Sequence, residues 1–154
     1  MNYTMSKIWS NATWNFFHIF AENVNESFYN RNKDICLQII KTICSILPCP
    51  YCKAHATHYM KNITIQHLPT KTHFRNMLFT FHNSVNSRLH KPKFLIQNLT
   101  RYKGIDIVRA VDIMCFEMKR YDHPGFFSLT MLKPDYKVLD NIQNSIKKHK
   151  RFFL

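Results

Sequence analysis

Glycine is scarce in this 154-residue sequence and occurs only at Gly104 and Gly125. Gly-rich loops that cradle nucleotide phosphates need several closely spaced glycines, because the backbone itself must approach the ligand. The sequence therefore excludes both a Walker-type loop and a dinucleotide-binding loop. A nucleotide cofactor would have to be held by side chains and helix surfaces.

Long apolar runs are also lacking, and no stretch approaches the roughly 20 apolar residues that a transmembrane helix needs. Polar residues occur throughout the first fifteen positions, so we expect no signal peptide. The cysteine count is five, which does not suit a framework of structural disulfides. These features predict a soluble intracellular protein.

Acidic residues are few: nine Asp and Glu stand against 22 Lys and Arg, which gives a net charge of +13. Such an excess is compatible with nucleic acid, anionic lipid, a phosphate-bearing cofactor or an acidic protein partner. It is also compatible with an ordinary solvated surface, so charge alone does not choose a function.

Strand-like alternation and internal repeats are absent, whereas apolar residues recur at helical spacing along most of the chain. In the second predicted helix we expect Ile35, Ile39 and Ile43 to form the core stripe. The pattern predicts an all-α protein, with four helices around a core followed by a basic helical extension. The predicted helices span residues 10–23, 34–47, 50–61, 72–89, 105–121 and 135–150.

The run LPCPYCKAHATHY, from Leu47 to Tyr59, is the most informative stretch of the sequence. Pro50 suits the first position of a helix, which places Cys49 at or near the N-cap and Cys52 in the first turn. Thiolates there are stabilised by the positive end of the helix, so their pKa should fall. Cys52, His55 and Tyr59 should share one helix face.

Three interpretations of this CxxC motif remain open. A thioredoxin-like motif would need a neighbouring βαβ pattern, which we do not find. A zinc site made by Cys49, Cys52, His55 and His58 has ligand-like spacing, but on a continuous helix His58 is rotated away from the face shared by Cys52, His55 and Tyr59. The third interpretation is a dithiol that works with a bound redox cofactor.

Asparagine is unusually frequent in the second half of the helix predicted over residues 72–89, where Asn83 and Asn86 follow His82. Asn is a poor helix-interior residue because its amide competes for backbone hydrogen bonds. Two of them at a spacing of three therefore indicate a specific role.

Three motifs together resemble the Erv/ALR family of FAD-linked sulfhydryl oxidases, especially the small members of large DNA viruses. They are Trp14-x-x-x-His18, the run LPCPYCKAHA and the run HNSVNSRLHKP. The resemblance implies a four-helix bundle with a short fifth helix, spanning residues 1–99, and leaves residues 100–154 as a basic helical extension. It also implies a homodimer, located in the host cytoplasm or the virion if the chain is viral.

The resemblance implies that Cys49 and Cys52 are the catalytic, redox-active pair, with Cys52 next to the flavin. It implies that the family's contacts to FAD map by motif onto residues of three predicted helices and the loop after the last of them, with Phe94 as a less specific match. Met77 and Phe79 stand where many relatives have Trp and Cys. The implied FAD-binding residues are Trp14, His18, His55, Tyr59, His82, Asn83, Val85, Asn86, Leu89 and Lys91.

The implied function is a thiol oxidase that forms disulfides in protein substrates and passes electrons through FAD to O2, giving H2O2. Its partner would be a thiol-containing protein, with a thioredoxin-like relay as one candidate, and nucleic acid is not expected. Cys36 is a candidate relay cysteine, although core packing is the simpler role. The alternative is a basic all-α binding module whose CxxC is structural or zinc-bound.

Overall fold

The computed structural model describes the backbone of residues 3–120, 133 and 135–153, and the side chains from Ile8 onward. Within these ranges the chain is helical and contains no strand, only one antiparallel bridge between Val24 and Phe153. The all-α prediction is confirmed. The α-helices are α1 (Tyr3–Asn23), α2 (Glu26–Arg31), α3 (Lys33–Ser45), α4 (Pro50–Lys61), α5 (Lys71–Arg88), α6 (Ile107–Lys119) and α7 (Tyr136–Lys148).

Most of these helices begin at a residue whose side chain accepts backbone N–H groups of the first turn. Asn25 caps α2, Thr70 caps α5, Asp106 caps α6 and Asp135 caps α7. Each cap satisfies donors that the helix itself leaves unpaired. Helix α2 was not predicted, although Asn25 followed by an acidic residue is a helix-start signal.

Helix α1 lies at the centre of the molecule and packs most extensively against α6, then against α5 and the 3-10 segment Ile96–Tyr102. Its end is fixed by the buried Asn23, whose amide donates to the carbonyl of Tyr102 at 2.8 Å and accepts from Gly104 N–H at 2.6 Å. Gly104 has a φ of 77°, a conformation that glycine adopts without strain.

The core face of α3 differs from the prediction by one position. Ile35 is 39% exposed and Ile39 is only half-buried, whereas Cys36 and Ile40 are fully buried. The apolar stripe predicted from Ile35 is therefore wrong in its first two members. The stripe of Ile35 and Ile39 and the adjoining stripe of Cys36 and Ile40 are both apolar. The sequence pattern therefore does not reveal which of the two the neighbouring helices cover.

The C-terminal residues return to the start of the fold. The N–H of Asn25 donates to the carbonyl of Phe152 at 2.6 Å, and the Phe152 ring stacks on Phe28 with centroids 4.5 Å apart. Phe153 is 5% exposed. The core is continuous from α1 to Phe153, and the predicted division at residues 99 and 100 stays a prediction.

The predicted ends of the helices agree with the structure to within about two residues wherever the ends are described, except at the start of α1, which begins at Tyr3. The predicted end near residue 121 lies outside the described residues. In the part of the chain that the structure describes, no helix is both long and apolar enough to cross a membrane.

Candidate active site at the start of helix α4

Cys49 and Cys52 form a disulfide at the N-terminus of α4, with their Cα atoms 5.1 Å apart. Cys49 is the N-cap, and its sulfur accepts the N–H of Cys52 at 3.2 Å. Pro50 occupies the first helical position, as the sequence predicts. The pair therefore lies where the helix dipole and an oriented N–H group favour a thiolate after reduction.

The two cysteines differ in exposure. Cys49 is 6% exposed, because the turn from Leu47 to Cys49 packs into the core, whereas Cys52 is half-buried. Tyr51, between them, is 77% exposed. In this conformation Cys52 is therefore the more exposed residue of the pair.

The face of α4 that carries Cys52, His55 and Tyr59 lies toward α5. The Tyr59 ring stacks on Phe81 with centroids 4.6 Å apart, and His55 is nearly parallel to the same ring at 6.3 Å. Burial lowers the pKa of His55, with further lowering by Arg88 and His58, and burial raises the pKa of Tyr59. Both side chains are therefore uncharged near neutral pH.

Beyond Phe81, Trp14 of α1 and His82 of α5 stack face to face, with centroids 4.1 Å apart and planes 5° from parallel. Trp14 also contacts Phe81 edge-on at 5.1 Å. His18 bonds to His82 through Nε2 and Nδ1, 2.9 Å apart. These contacts connect the disulfide helix to α1 through one continuous series of rings.

The two hydrogen-bonded histidines are neutral. Burial, and then the neighbouring His82, lower the pKa of His18 to about 3. Burial, and then Lys91 and Arg101, lower the pKa of His82 to about 4. Because one hydrogen bond joins two neutral rings, the proton between them belongs to one nitrogen and fixes the tautomer of both imidazoles.

Phe94 and Tyr102 complete the ring cluster, and both stack on His18, at 5.0 and 5.2 Å. Arg101 lies 5.0 Å from the Tyr102 ring and 6.0 Å from that of Phe94. Sequence reasoning missed Tyr102 and Arg101, which fall in the predicted extension. No signal in the sequence pairs Tyr102 with His18, because the contact arises from packing of the 3-10 segment on α1.

The structure explains the two asparagines on α5. The side-chain amide of Asn83 donates to the carbonyl of Phe94 at 3.0 Å and accepts the N–H of Phe94 at 2.8 Å. It therefore satisfies both backbone hydrogen-bonding groups of Phe94. Asn86 donates to the carbonyl of Pro92 at 3.2 Å. Both side chains therefore fasten the loop after α5 to the helix and hold Phe94 against the histidines.

The end of α5 reverses the chain so that this loop can return. The N–H of Lys91 bonds to the carbonyl of Asn86 at 2.8 Å and that of His90 to Ser87 at 3.2 Å, which is a Schellman motif. His90 takes the left-handed position with a φ of 52°. Lys91 and Leu89 are exposed beside the ring cluster, and Val85 is half-buried.

A flat, largely apolar cofactor with an anionic part fits these residues. His55 Nδ1 is buried and has no hydrogen-bond partner among the described residues, so the site holds a polar atom for an outside partner. The flat faces of Trp14, His82 and Tyr59 suit a planar ring system. Lys91 and Arg101 supply positive charge at the edge of the cluster.

The remaining cysteines are in a different environment. Cys36, Cys44 and Cys115 are buried and unpaired. Burial raises the pKa of Cys36 and Cys44 to about 12 and that of Cys115 to about 11. Their thiols stay protonated near neutral pH, which disfavours the relay role considered for Cys36.

The described residues contain no cluster of three or more His, Cys, Asp or Glu side chains placed to share a metal ion. In addition, Cys49 and Cys52 are joined in a disulfide. Zinc binds cysteine as a thiolate, and neither sulfur is a thiolate while the disulfide is intact. The zinc alternative therefore has no donor set in this part of the chain.

A disulfide at a helix N-terminus beside a cluster of neutral aromatic and imidazole rings defines a helical dithiol–disulfide redox protein. The chain belongs to the Erv1/Alr family, whose model matches residues 11–103. This match includes the disulfide, the histidine pair, Phe94 and Tyr102.

Similar proteins come from large DNA viruses. Protein 347L of Invertebrate iridescent virus 6, named as a provisional FAD-linked sulfhydryl oxidase, is 34% identical over 102 residues, covering 62% of this chain and 91% of its own. The FAD-linked sulfhydryl oxidase of African swine fever virus (isolate Pig/Kenya/KEN-50/1950) is 30% identical over 97 residues, covering 63% and 78%. No solved structure matches the chain.

Proposed function

We propose that this protein is an FAD-linked sulfhydryl oxidase that converts thiol pairs of a protein substrate into disulfides. The observation that carries the proposal is the Cys49–Cys52 disulfide at the N-terminus of α4, on the helix whose next two turns contact the aromatic cluster. Membership of the Erv1/Alr family and the names of the viral relatives support FAD as the cofactor.

The chain's own residues contribute the exchange step. A substrate thiolate attacks one sulfur of the Cys49–Cys52 bond, forms a mixed disulfide and releases the other sulfur as a thiolate. The second substrate thiol then displaces the enzyme sulfur, so the substrate leaves oxidised and both enzyme cysteines are reduced. The helix N-terminus stabilises the thiolate that each exchange releases.

The chemistry that FAD supplies when bound is the acceptance of two electrons from the reduced cysteine pair and their transfer to O2, which yields H2O2. Trp14, Tyr59 and His82 would provide flat surfaces for the ring system. His55 Nδ1 would hydrogen-bond to its polar edge, and Lys91 with Arg101 would offset the phosphate charges.

We assign Cys52 to the cofactor side and Cys49 to the substrate side. Cys52 shares its helix face with His55 and Tyr59, which lie against the ring cluster, so a bound ring system would cover the exposed part of Cys52. The low exposure of Cys49 requires the first turn of α4 to open during attack. The N–H of Cys52, 3.2 Å from the Cys49 sulfur, would then bind the substrate-side thiolate.

The oligomeric state, the acceptor and the compartment are part of the proposal. A homodimer, O2 as the final acceptor and a thioredoxin-like relay as the substrate follow from the resemblance. The same holds for action in the cytoplasm of an infected cell or in the virion. These features stay predictions.

The test uses the full chain, purified and freed of unbound flavin. We expect a yellow protein with noncovalently bound FAD that takes up O2 when dithiothreitol is added. Cys36→Ala is the matched control, because it removes a buried cysteine outside the site and should keep this uptake. Colourless protein that stays inactive after FAD is added would contradict the proposal.

A further inference from the structure

The charge of the chain is unevenly distributed around the disulfide. Residues 35–105 contain ten Lys and Arg and no Asp or Glu. All nine acidic residues lie before or after this stretch, which contains α4, α5 and the redox pair. Helices α4 and α5 therefore carry basic residues and no acidic ones.

Helix α4 presents a second face, opposite the one that contacts the ring cluster. Together with Lys41 of α3 this face lines an open groove of about 660 Å³. Its lining includes the apolar Pro50, Ala54 and Met60, the cationic Lys41, Lys53 and Lys61, and the polar Thr57 and His58.

The groove lies next to the redox motif. Two of its lining residues, Pro50 and Lys53, directly follow Cys49 and Cys52 in the chain. Tyr51, at 77% exposure, projects into solvent between the two cysteines. One of the three lysines is fixed in place, because Lys41 Nζ donates to the carbonyl of Ile63 at 2.6 Å.

We propose that this groove docks an acidic segment of the thiol-bearing protein substrate, so that α4 contacts the cofactor on one face and the substrate on the other. This inference rests on the proposed function and specifies its substrate class. The apolar lining residues accept apolar side chains, and the three lysines attract Asp and Glu that flank the reacting cysteines. Charges of this kind act mainly on the association rate and are weakened by salt.

Binding is measured first, with peptides that cannot react. Two labelled peptides share a Ser-x-x-Ser core, and one is flanked by Glu and the other by Lys. Fluorescence anisotropy with the FAD-loaded protein should show about tenfold tighter binding of the Glu peptide at low salt. The double variant Lys53→Glu/Lys61→Glu should abolish this preference.

The matched control is Lys137→Glu/Lys148→Glu, which changes the net charge equally on the exposed face of α7. It should keep the preference for the Glu peptide. Equal binding of the two peptides, or equal loss in both double variants, would contradict a local docking groove. Tighter binding of a DNA oligonucleotide with the same number of charges would assign the surface to nucleic acid instead and overturn the proposal.

Turnover separates this inference from the proposed function. With Cys-x-x-Cys versions of both peptides, kcat/KM from O2 uptake should favour the Glu peptide by about tenfold at low salt, and the ratio should approach one at high salt. Oxidation of dithiothreitol with no discrimination between the peptides would reject the groove and keep the oxidase. Selective peptide binding without any O2 uptake would support the groove and reject the oxidase.

Discussion

The family-matched region, residues 11–103, and the C-terminal helices α6 and α7 stabilise the molecule in different ways. The first region buries polar rings: His18 and His82 are held neutral in a stack with Trp14, Phe94 and Tyr102. The second buries aliphatic and sulfur-containing side chains and links its helices at the surface by Lys119–Asp140 and Lys147–Asp112.

Both regions depend on α1. Trp14 and His18 point to the ring cluster, whereas Ala12 and Ile19 line a cleft against α6. The buried core therefore continues across residue 103, where the family match ends. We conclude that α6 and α7 help to hold α1, the helix that carries Trp14 and His18, in place.

The strongest test of this dependence is removal of the C-terminal helices by a stop codon after Lys103. Each buried apolar side chain that is lost is worth about 1.5–3 kcal/mol. Whole domains are stable by only about 5–15 kcal/mol. We expect the shortened chain to lose cooperative unfolding in circular dichroism and to lose FAD.

A point substitution in α6 is a less disruptive variant and can be measured even if the shortened chain aggregates. Met114 is fully buried in α6, a helix that carries neither a residue of the ring cluster nor a cysteine of the disulfide. Met114→Ala should lower the free energy of unfolding by about 2–5 kcal/mol and leave the flavin spectrum of the folded protein unchanged. A shortened chain that keeps FAD and unfolds cooperatively would show that the two regions are independent.

Acid should destabilise the site region through its histidines. The pKa values of His18 and His82 are about 3 and about 4 in the folded protein and near 6.5 in the unfolded chain. The unfolded chain therefore binds more protons below pH 6.5, so stability is complete above that pH and falls as the pH decreases toward 4. A pKa difference of one between the two states corresponds to about 1.4 kcal/mol.

Urea unfolding at a series of pH values measures this linkage. The free energy of unfolding should decline between pH 6.5 and 4, and His82→Asn should reduce the slope because one of the two groups is removed. A flat profile in the unmodified protein would mean that the histidine pair is not buried and neutral.

A smaller effect is expected from the loop that Asn83 fastens. Asn83→Ala leaves the N–H and C=O of Phe94 without their partners and should cost about 1–3 kcal/mol of unfolding free energy. It should also weaken FAD binding, because Phe94 loses its position against His18. Asn86→Ala removes one exposed bond and should cost less; equal effects of both variants on FAD affinity would contradict this role of Asn83.

Local features of the sequence predicted much of this architecture. Proline at the first helical position and cysteine at the N-cap located the start of α4 at Pro50, because both are properties of a single turn. The contact partners of His18 were not predictable, because His82 is 64 residues away and the hydrogen bond depends on how α1 and α5 pack. The asparagines were recognised as unusual, but their partners lie in a loop that has no periodic pattern.

The assignment of Cys52 to the cofactor is tested most directly by absorbance spectra of two single variants. In Cys49→Ser, the unpaired Cys52 thiolate lies at the helix N-terminus and beside oxidised flavin, so we predict a broad long-wavelength charge-transfer band that fades as the pH drops below the Cys52 pKa. Cys52→Ser should keep the flavin absorbance without this band, and both variants should lose disulfide-forming turnover. A band in Cys52→Ser instead would reverse the roles of the two sulfurs, and unchanged spectra and turnover in both variants would contradict the claim that Cys49 and Cys52 are the active pair.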